Sequence, residues 1–218
     1  MHDAGGTTID GVGYVFGGGR FGPGSLVQRV EPSGQTVTVG HLPAIRADLT
    51  AVTVGSEMII AGGGTPGRSD DRVLATSDGR RFRVAAHLRV AVRYPAVVAV
   101  GQQVYVIGGA TPSGDTRVIQ LVDPVSGRAR IVGRLPLGLS HASALVIAGT
   151  VLLAGGRSAG RAQDGLWLLD PPGHAFLRIG RLPDPVSDAA AVVLHGTGYL
   201  IGGEARAPLD TVITISAG

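Results

Sequence analysis

Five short apolar strands in this chain each run directly into a pair of glycines, at nearly constant spacing. The first glycine of each pair is residue 17, 62, 108, 155 or 202, so successive copies lie 45, 46, 47 and 47 residues apart. A fixed period of this length is typical of repeat architectures, and here it indicates the blades of a β-propeller. We predict a structural role for the ten glycines of these pairs, which are Gly17, Gly18, Gly62, Gly63, Gly108, Gly109, Gly155, Gly156, Gly202 and Gly203.

The glycine pairs have a physical reason in such a fold. Blades pack face to face around an axis, and the strand must turn sharply where the backbone of the next blade comes close. Glycine permits both a positive φ and a close approach, because it has no Cβ atom. We therefore expect the pairs to serve packing.

Each copy reads as four strands, and no stretch of the chain shows sustained helical periodicity. The fold class we predict is all-β, with five repeats of four-stranded antiparallel blades in a single domain over residues 1–218. We expect the blades at about residues 3–43, 48–88, 94–135, 141–182 and 188–216.

These copies resemble the kelch-repeat β-propellers, and the resemblance covers nearly the whole chain. It rests on the apolar strand ending in Gly-Gly, on a tyrosine three residues before the first glycine, as at Tyr105, and on turns such as Asp123-Pro124 between the third and fourth strands. The family's usual tryptophan on the fourth strand is absent, since the single Trp167 lies on a third strand. The resemblance implies a bacterial, degenerate kelch-type propeller.

The two ends of the repeat series do not match each other. The first copy begins at residue 3 with its innermost strand, and the fifth copy reaches residue 218 just after its third strand. We expect the last blade to lack its outer strand, either because upstream residues are missing or because the blade has three strands and an exposed edge. Missing upstream residues would also remove any signal peptide, so an exported location is favoured in that case.

Composition excludes several classes of function. All 19 basic residues are arginines without a basic stripe, so the net charge of +3 predicts no nucleic-acid partner. The chain has no cysteine, and its histidines lack the spacing of metal ligands, so we expect no metal and no cofactor. No apolar run reaches membrane-spanning length. We expect a monomer.

One column of residues, fourteen positions before each glycine pair, is the best candidate for a site. It enters the innermost strand of each blade, which in kelch-like propellers faces the central channel at one mouth. Nearby arginines precede the column residue or follow the glycines. The predicted channel-mouth residues are Asp3, Arg20, Asp48, Arg93, Tyr94, His141, Arg157 and Asp188. Converging acids, imidazole and guanidinium groups are typical of a ligand pocket, although the same groups can cap strand ends and bind channel water.

Three hypotheses for function follow. Similar residues at equivalent positions favour a non-catalytic binding propeller whose mouth takes a protein, peptide or glycan. The resemblance also implies a carbohydrate-active alternative, since kelch-like propellers include a sugar-acid mutarotase. Such an enzyme needs an acid and a base beside an arginine, for which Arg93 with His141 and either Asp188 or Asp48 are candidates. The family's copper-radical sugar oxidase is excluded, because its cofactor requires a cysteine. A spacer or scaffold within a larger exported protein is the third.

Overall fold

The computed structural model of the protein describes residues 2–19, 24–170 and 175–216. These residues form β-strands joined by turns, and none of them lies in a helix. The strands assemble into five antiparallel blades arranged as a propeller, which confirms the predicted all-β class. No helix long and apolar enough to cross a membrane occurs in this part of the chain.

The strands follow the repeat. Blade 1 contains β1 (His2–Ile9), β2 (Val12–Gly19), β3 (Leu26–Val30) and β4 (Thr36–His41). Blade 2 contains β5 (Ala47–Val54), β6 (Glu57–Thr65), β7 (Arg68–Ser69), β8 (Arg72–Thr76) and β9 (Arg83–His87). Blade 3 contains β10 (Ala96–Val100), β11 (Gln103–Ile107), β12 (Ala110–Thr111), β13 (Gly114–Asp115), β14 (Val118–Asp123) and β15 (Arg128–Arg134). Blade 4 contains β16 (Ser143–Ile147), β17 (Thr150–Ala154), β18 (Arg157–Ser158), β19 (Arg161–Ala162), β20 (Gly165–Asp170) and β21 (Ala175–Arg181). Blade 5 contains β22 (Ala190–Leu194), β23 (Thr197–Ile201) and β24 (Val212–Ile215).

Sequential strands pair with each other from the inside of each blade to the outside. The order in the first blade is β1-β2-β3-β4, and the sheets of blades 2, 3 and 4 repeat it with their own long strands. Among the residues that the structure describes, blade 5 is a three-stranded sheet in the order β22-β23-β24 without an outer strand, as the sequence predicted. The short strands fold the loops after the glycines into small ribbons in blades 2, 3 and 4, where the sequence indicated only polar loops.

The apolar core lies between blades. Phe16 of blade 1 packs with Met58 and Ile60 of blade 2. The same arrangement joins blades 2 and 3, blades 3 and 4, and blades 4 and 5. Because valine, isoleucine, leucine and alanine fill these joints, few aromatic residues are needed. The innermost strands β1, β5, β10, β16 and β22 line a central channel of about 710 Å³.

Candidate functional site

The column residues share an unusual backbone conformation at the mouth of the channel. Their φ angles are positive and nearly equal, at 58°, 60°, 52°, 56° and 59° for Asp3, Asp48, Tyr94, His141 and Asp188. Aspartate tolerates this left-handed region better than most residues, whereas a bulky tyrosine there is uncommon. The equal angles show that the turn into the innermost strand has the same geometry in every blade.

Backbone hydrogen bonds connect these turns from blade to blade. The Tyr94 N–H donates to the Asp48 carbonyl at 2.9 Å, the His141 N–H donates to the Tyr94 carbonyl at 3.0 Å, and the Asp188 N–H donates to the His141 carbonyl at 3.0 Å. Four of the five column residues, from Asp48 to Asp188, are thus linked through their peptide groups from one blade to the next.

A cavity of about 270 Å³ occupies the mouth. Its walls are the column residues and the residues that follow them, namely Asp3, Ala4, Asp48, Leu49, Thr50, Tyr94, Pro95, His141, Ala142, Asp188 and Ala189. The volume lies slightly below the range common for drug-sized ligands, so the cavity suits a single small group. The predicted mouth residue Arg20 lies outside the described residues.

One half of the mouth is a cluster in which the buried Asp48 carboxylate contacts the half-buried Arg93 and Tyr94. The Asp48 side chain is 2% exposed and accepts a short hydrogen bond from Arg93 Nε. The pKa of the Tyr94 hydroxyl is raised, first by burial and then by its hydrogen bond with Asp48 and the negative charge there. Opposite charges and a hydroxyl therefore satisfy one another here, across the joint of blades 2 and 3.

The other half of the mouth is an open cluster of His141, Asp188, Arg157 and Glu204. His141 Nδ1 lies 2.6 Å from Asp188 Oδ1, and the two side chains are 18% and 31% exposed. Arg157 lies 3.5 Å from Asp188 Oδ2 through Nε, and it contacts Glu204 Oε2 at 2.6 Å through its terminal nitrogen. These groups join blades 4 and 5, and His141 and Asp188 also line the cavity.

The surroundings of Asp188 in this open cluster favour its charged form. Burial favours the neutral carboxyl, but hydrogen bonds from His141 and Ser187 and the charge of Arg157 outweigh it. The pKa of Asp188 is therefore below its usual value. An imidazole that contacts this carboxylate through Nδ1 has Nε2 as the nitrogen that can exchange a proton with a ligand.

An aromatic contact connects the two clusters. The rings of Tyr94 and His141 stack with centroids 3.8 Å apart and planes at 21°. The guanidinium of Arg93 lies 5.3 Å from the centroid of the Tyr94 ring. The His141 imidazole is thus in direct contact with the ring of Tyr94, which is hydrogen-bonded to Asp48.

Sequence and structure agree on which residues converge but differ on how they pair. Asp3, Asp48, Tyr94, His141 and Asp188 line one cavity, whereas the predicted Arg93 and Arg157 lie beside it and do not line it. Their role in ligand binding stays a prediction. Arg93 binds Asp48, so the arginine beside His141 and Asp188 is Arg157. Ser187 and Glu204, which are not among the predicted mouth residues, also belong to this cluster, since Arg157 Nε donates to the Ser187 hydroxyl at 2.9 Å and the Arg157 terminal nitrogen contacts Glu204. The signal for these partners is the period itself, since Arg157 and Glu204 are one repeat apart.

The mouth does not have the composition of a metal centre. Across residues 2–19, 24–170 and 175–216, no group of three or more histidine, cysteine, aspartate or glutamate side chains is placed to hold a metal ion. The Asp48 carboxylate is bound to arginine and tyrosine, and the Asp188 carboxylate to histidine and arginine.

Comparisons with known proteins identify the fold. No protein-family model matches the chain, and no curated protein matches it in sequence. Among solved structures, the one titled "Structure of YjhT" superposes with a TM-score of 0.85 at 15% sequence identity. The match covers 99% of this chain and 81% of that chain. At this identity the likeness shows a shared propeller fold and no more.

Proposed function

We propose that the protein is a non-catalytic, kelch-type binding propeller whose channel mouth holds a terminal group of a glycan. The observation that carries this proposal is the mouth cavity, where column residues of all five blades surround about 270 Å³. A volume of this size accommodates one small polar group and excludes a folded protein loop. A glycan end therefore fits better than the protein or peptide that the repeat pattern alone also allowed.

The chemistry of the walls supports the same class of ligand. Sugar hydroxyls need donors and acceptors close together, and the Asp188 carboxylate, the His141 imidazole and the Arg157 guanidinium supply both within one cluster. The arginine also suits a carboxylate on an acidic sugar, because a guanidinium matches carboxylate geometry. Asp48 and Arg93 hold the floor of this cluster through the stacked Tyr94 ring.

Binding is tested by titrating the protein with neutral monosaccharides and sugar acids, using saturation-transfer NMR and calorimetry. We expect one class to bind, and the double variant Asp188→Asn, His141→Gln to weaken that binding at least about tenfold, a change of 1.4 kcal/mol. The control is Asp164→Asn, since Asp164 forms a similar exposed ion pair with Arg178 at 2.9 Å away from the mouth. No binding by any sugar, or equal loss in the control, contradicts the proposal.

A second function is favoured by one specific observation, the 2.6 Å contact of His141 with Asp188 beside Arg157. An enzyme that exchanges sugar anomers moves one proton onto the ring oxygen and removes one from the anomeric hydroxyl, which opens the ring and lets it close on either face. His141 is the candidate for proton exchange, Asp188 for orienting it, and Arg157 for holding a sugar carboxylate. NMR exchange spectroscopy distinguishes the two functions: rates equal to buffer for a sugar that binds support binding alone.

A further inference from the structure

The blades form four apolar joints, whereas a closed ring of five needs five. Buried clusters join blades 1 and 2, 2 and 3, 3 and 4, and 4 and 5. Inner strands pack side by side in the same series, from β1 to β5, β10, β16 and β22. Within the described parts of the chain, no comparable packing joins β22 to β1. Blades 5 and 1 therefore flank a gap.

The face of blade 5 that borders this gap is apolar and exposed. Val192, Leu194 and Ile201 are 38%, 53% and 46% exposed. One repeat earlier, the equivalent residues of blade 4 are Leu145, Ile147 and Ala154, which are 3%, 5% and 2% exposed because blade 5 covers them. The same face of the repeat is thus covered in blade 4 and uncovered in blade 5, and an apolar face of this kind marks an interaction surface.

The gap also leaves space beside Gly202, the first glycine of the pair in blade 5. A Cβ atom on Gly108 or Gly155 would lie 2.2 Å from the backbone oxygen of Leu139 or Val186, which belongs to the connection into the next blade. A Cβ atom on Gly202 would meet only the Leu209 oxygen of its own blade, at 3.4 Å. Gly202 nevertheless has the same φ of 62° as Gly108.

The backbone N–H of the second glycine in each pair shows the same difference between blade 5 and the other blades. Gly63, Gly109 and Gly156 each donate an N–H to the connection into the next blade, at 2.7–2.8 Å. Gly203 makes no such bond to the residues that the structure describes. Its conformation, with a φ of 97°, nevertheless matches that of Gly156, at 99°. Blade 5 is therefore shaped for a following blade.

Blade 1 has a matching feature on its own free side. Gln120, at the bulge of β14, is fully buried and bonds both the N–H and the carbonyl of Val90, in the connection that leaves blade 2. Gln28 occupies the same bulge position of β3 in blade 1. The channel cavity also extends sideways in blade 1 to Val30 of β3, whereas in the other blades its lining comes from the inner strand.

We propose that this gap is the seat of a sixth blade, a further unit of the same repeat pattern. Its size is set by one period, which is 47 residues between the last copies. One face of the new blade covers Val192, Leu194 and Ile201, and its other face covers Gln28. The sixth blade also brings a sixth column residue to the mouth, between Asp188 and Asp3.

The test extends the chain with its own sequence. A copy of residues 123–182, joined after residue 216, supplies an outer strand for blade 5 and then a complete blade. We expect the 218-residue chain to bind an apolar fluorescent dye and the extended protein to lose that binding. The extended protein should also stay monomeric in sedimentation and melt about 5–10 °C higher. The substitution Val192→Asp then lowers the melting temperature of the extended protein and leaves that of the 218-residue chain unchanged.

A matched extension separates the added blade from the added strand. It carries Leu153→Asp and Leu169→Asp in the copy only, because in blade 4 these two residues are buried against blade 3 and in the copy they face blade 5. This extension retains the outer strand, so we expect it to keep the dye binding. Equal melting temperatures for the two extensions overturn the proposal. Dimerisation of the 218-residue chain that is lost with Val192→Asp also overturns it, since the face then belongs to a second copy.

Discussion

The two halves of the channel mouth come from the same column of the repeat, yet their acids lie in different environments. Asp48 is 2% exposed and is bonded to Arg93 and Tyr94, while Asp188 is 31% exposed and faces the cavity with His141. The difference shows that an equivalent position does not imply an equivalent role. In the buried half the carboxylate holds two blades together, and in the open half it remains available to a ligand.

The largest expected effect is the loss of the buried acid. Asp48→Ala leaves the Arg93 guanidinium and the Tyr94 hydroxyl without their carboxylate, so we expect it to lower the free energy of unfolding by about 3 kcal/mol. The corresponding change in the open half, Asp188→Ala, is expected to cost under about 1 kcal/mol, because water solvates the remaining groups. Urea denaturation of both variants measures the contrast, and equal losses would show that the halves do not differ.

A smaller effect is expected from the Tyr94 hydroxyl. Tyr94→Phe keeps the stack on His141 and removes the hydrogen bond to Asp48, at a cost of about 1–1.5 kcal/mol. Because the pKa of Tyr94 is raised, its folded hydroxyl stays protonated where an unfolded tyrosine ionises, near pH 10. This contribution to stability is present below that pH and declines above it. Ultraviolet titration checks this: wild type and Tyr94→Phe should show the same phenolate absorbance at pH 10–11.

In the open half of the mouth, Asp188 is expected to make the stability of the protein depend on pH in the acidic range. The folded pKa of Asp188 is below its unfolded value, so its contribution to stability is complete above the unfolded pKa, near 3.9, and is lost as the pH falls through the folded value. We expect Asp188→Asn to reduce the slope of stability against pH below about pH 4, by no more than about 1 kcal/mol in total. Urea midpoints at pH 3, 4 and 6 measure it. An unchanged slope would contradict a stabilising role for the Asp188 carboxylate.

The smallest effect is expected at the rim. Glu204 is 52% exposed and binds Arg157 at 2.6 Å, so Glu204→Gln is expected to change stability by less than about 0.5 kcal/mol. It removes the negative charge that competes with a ligand carboxylate for Arg157, however, and we expect binding of an acidic sugar to be kept or modestly strengthened. Calorimetry of this variant shows whether Arg157 contacts the ligand. Weakened binding would place Glu204 itself in the contact.

The repeat made the fold and the location of the mouth predictable. Strand ends at the glycine pairs, such as Gly108 and Gly109, mark where each blade turns, and the residue fourteen positions earlier follows at the same height in every copy. The missing outer strand of blade 5 was predictable for the same reason, since counting strands along a period needs no three-dimensional information.

Pairing within the site was not predictable from the period. Arg93 and Arg157 occupy different positions in the repeat, yet each binds an acid of the column, Asp48 or Asp188. Which arginine meets which acid depends on side-chain reach across a joint between blades. The stack of Tyr94 on His141 likewise depends on two residues 47 positions apart facing each other.

The sequence by itself determined that this chain is a propeller of glycine-punctuated blades with a polar column at one end of the channel. A local pattern repeated five times is sufficient for this, because each blade is built from strands that are neighbours along the chain. Only the tertiary structure decided which column acids are buried and which are open, and that β22 and β1 do not pack together as the other neighbouring inner strands do. Burial and contact between distant repeats depend on how blades pack, and packing is a property of the assembled ring.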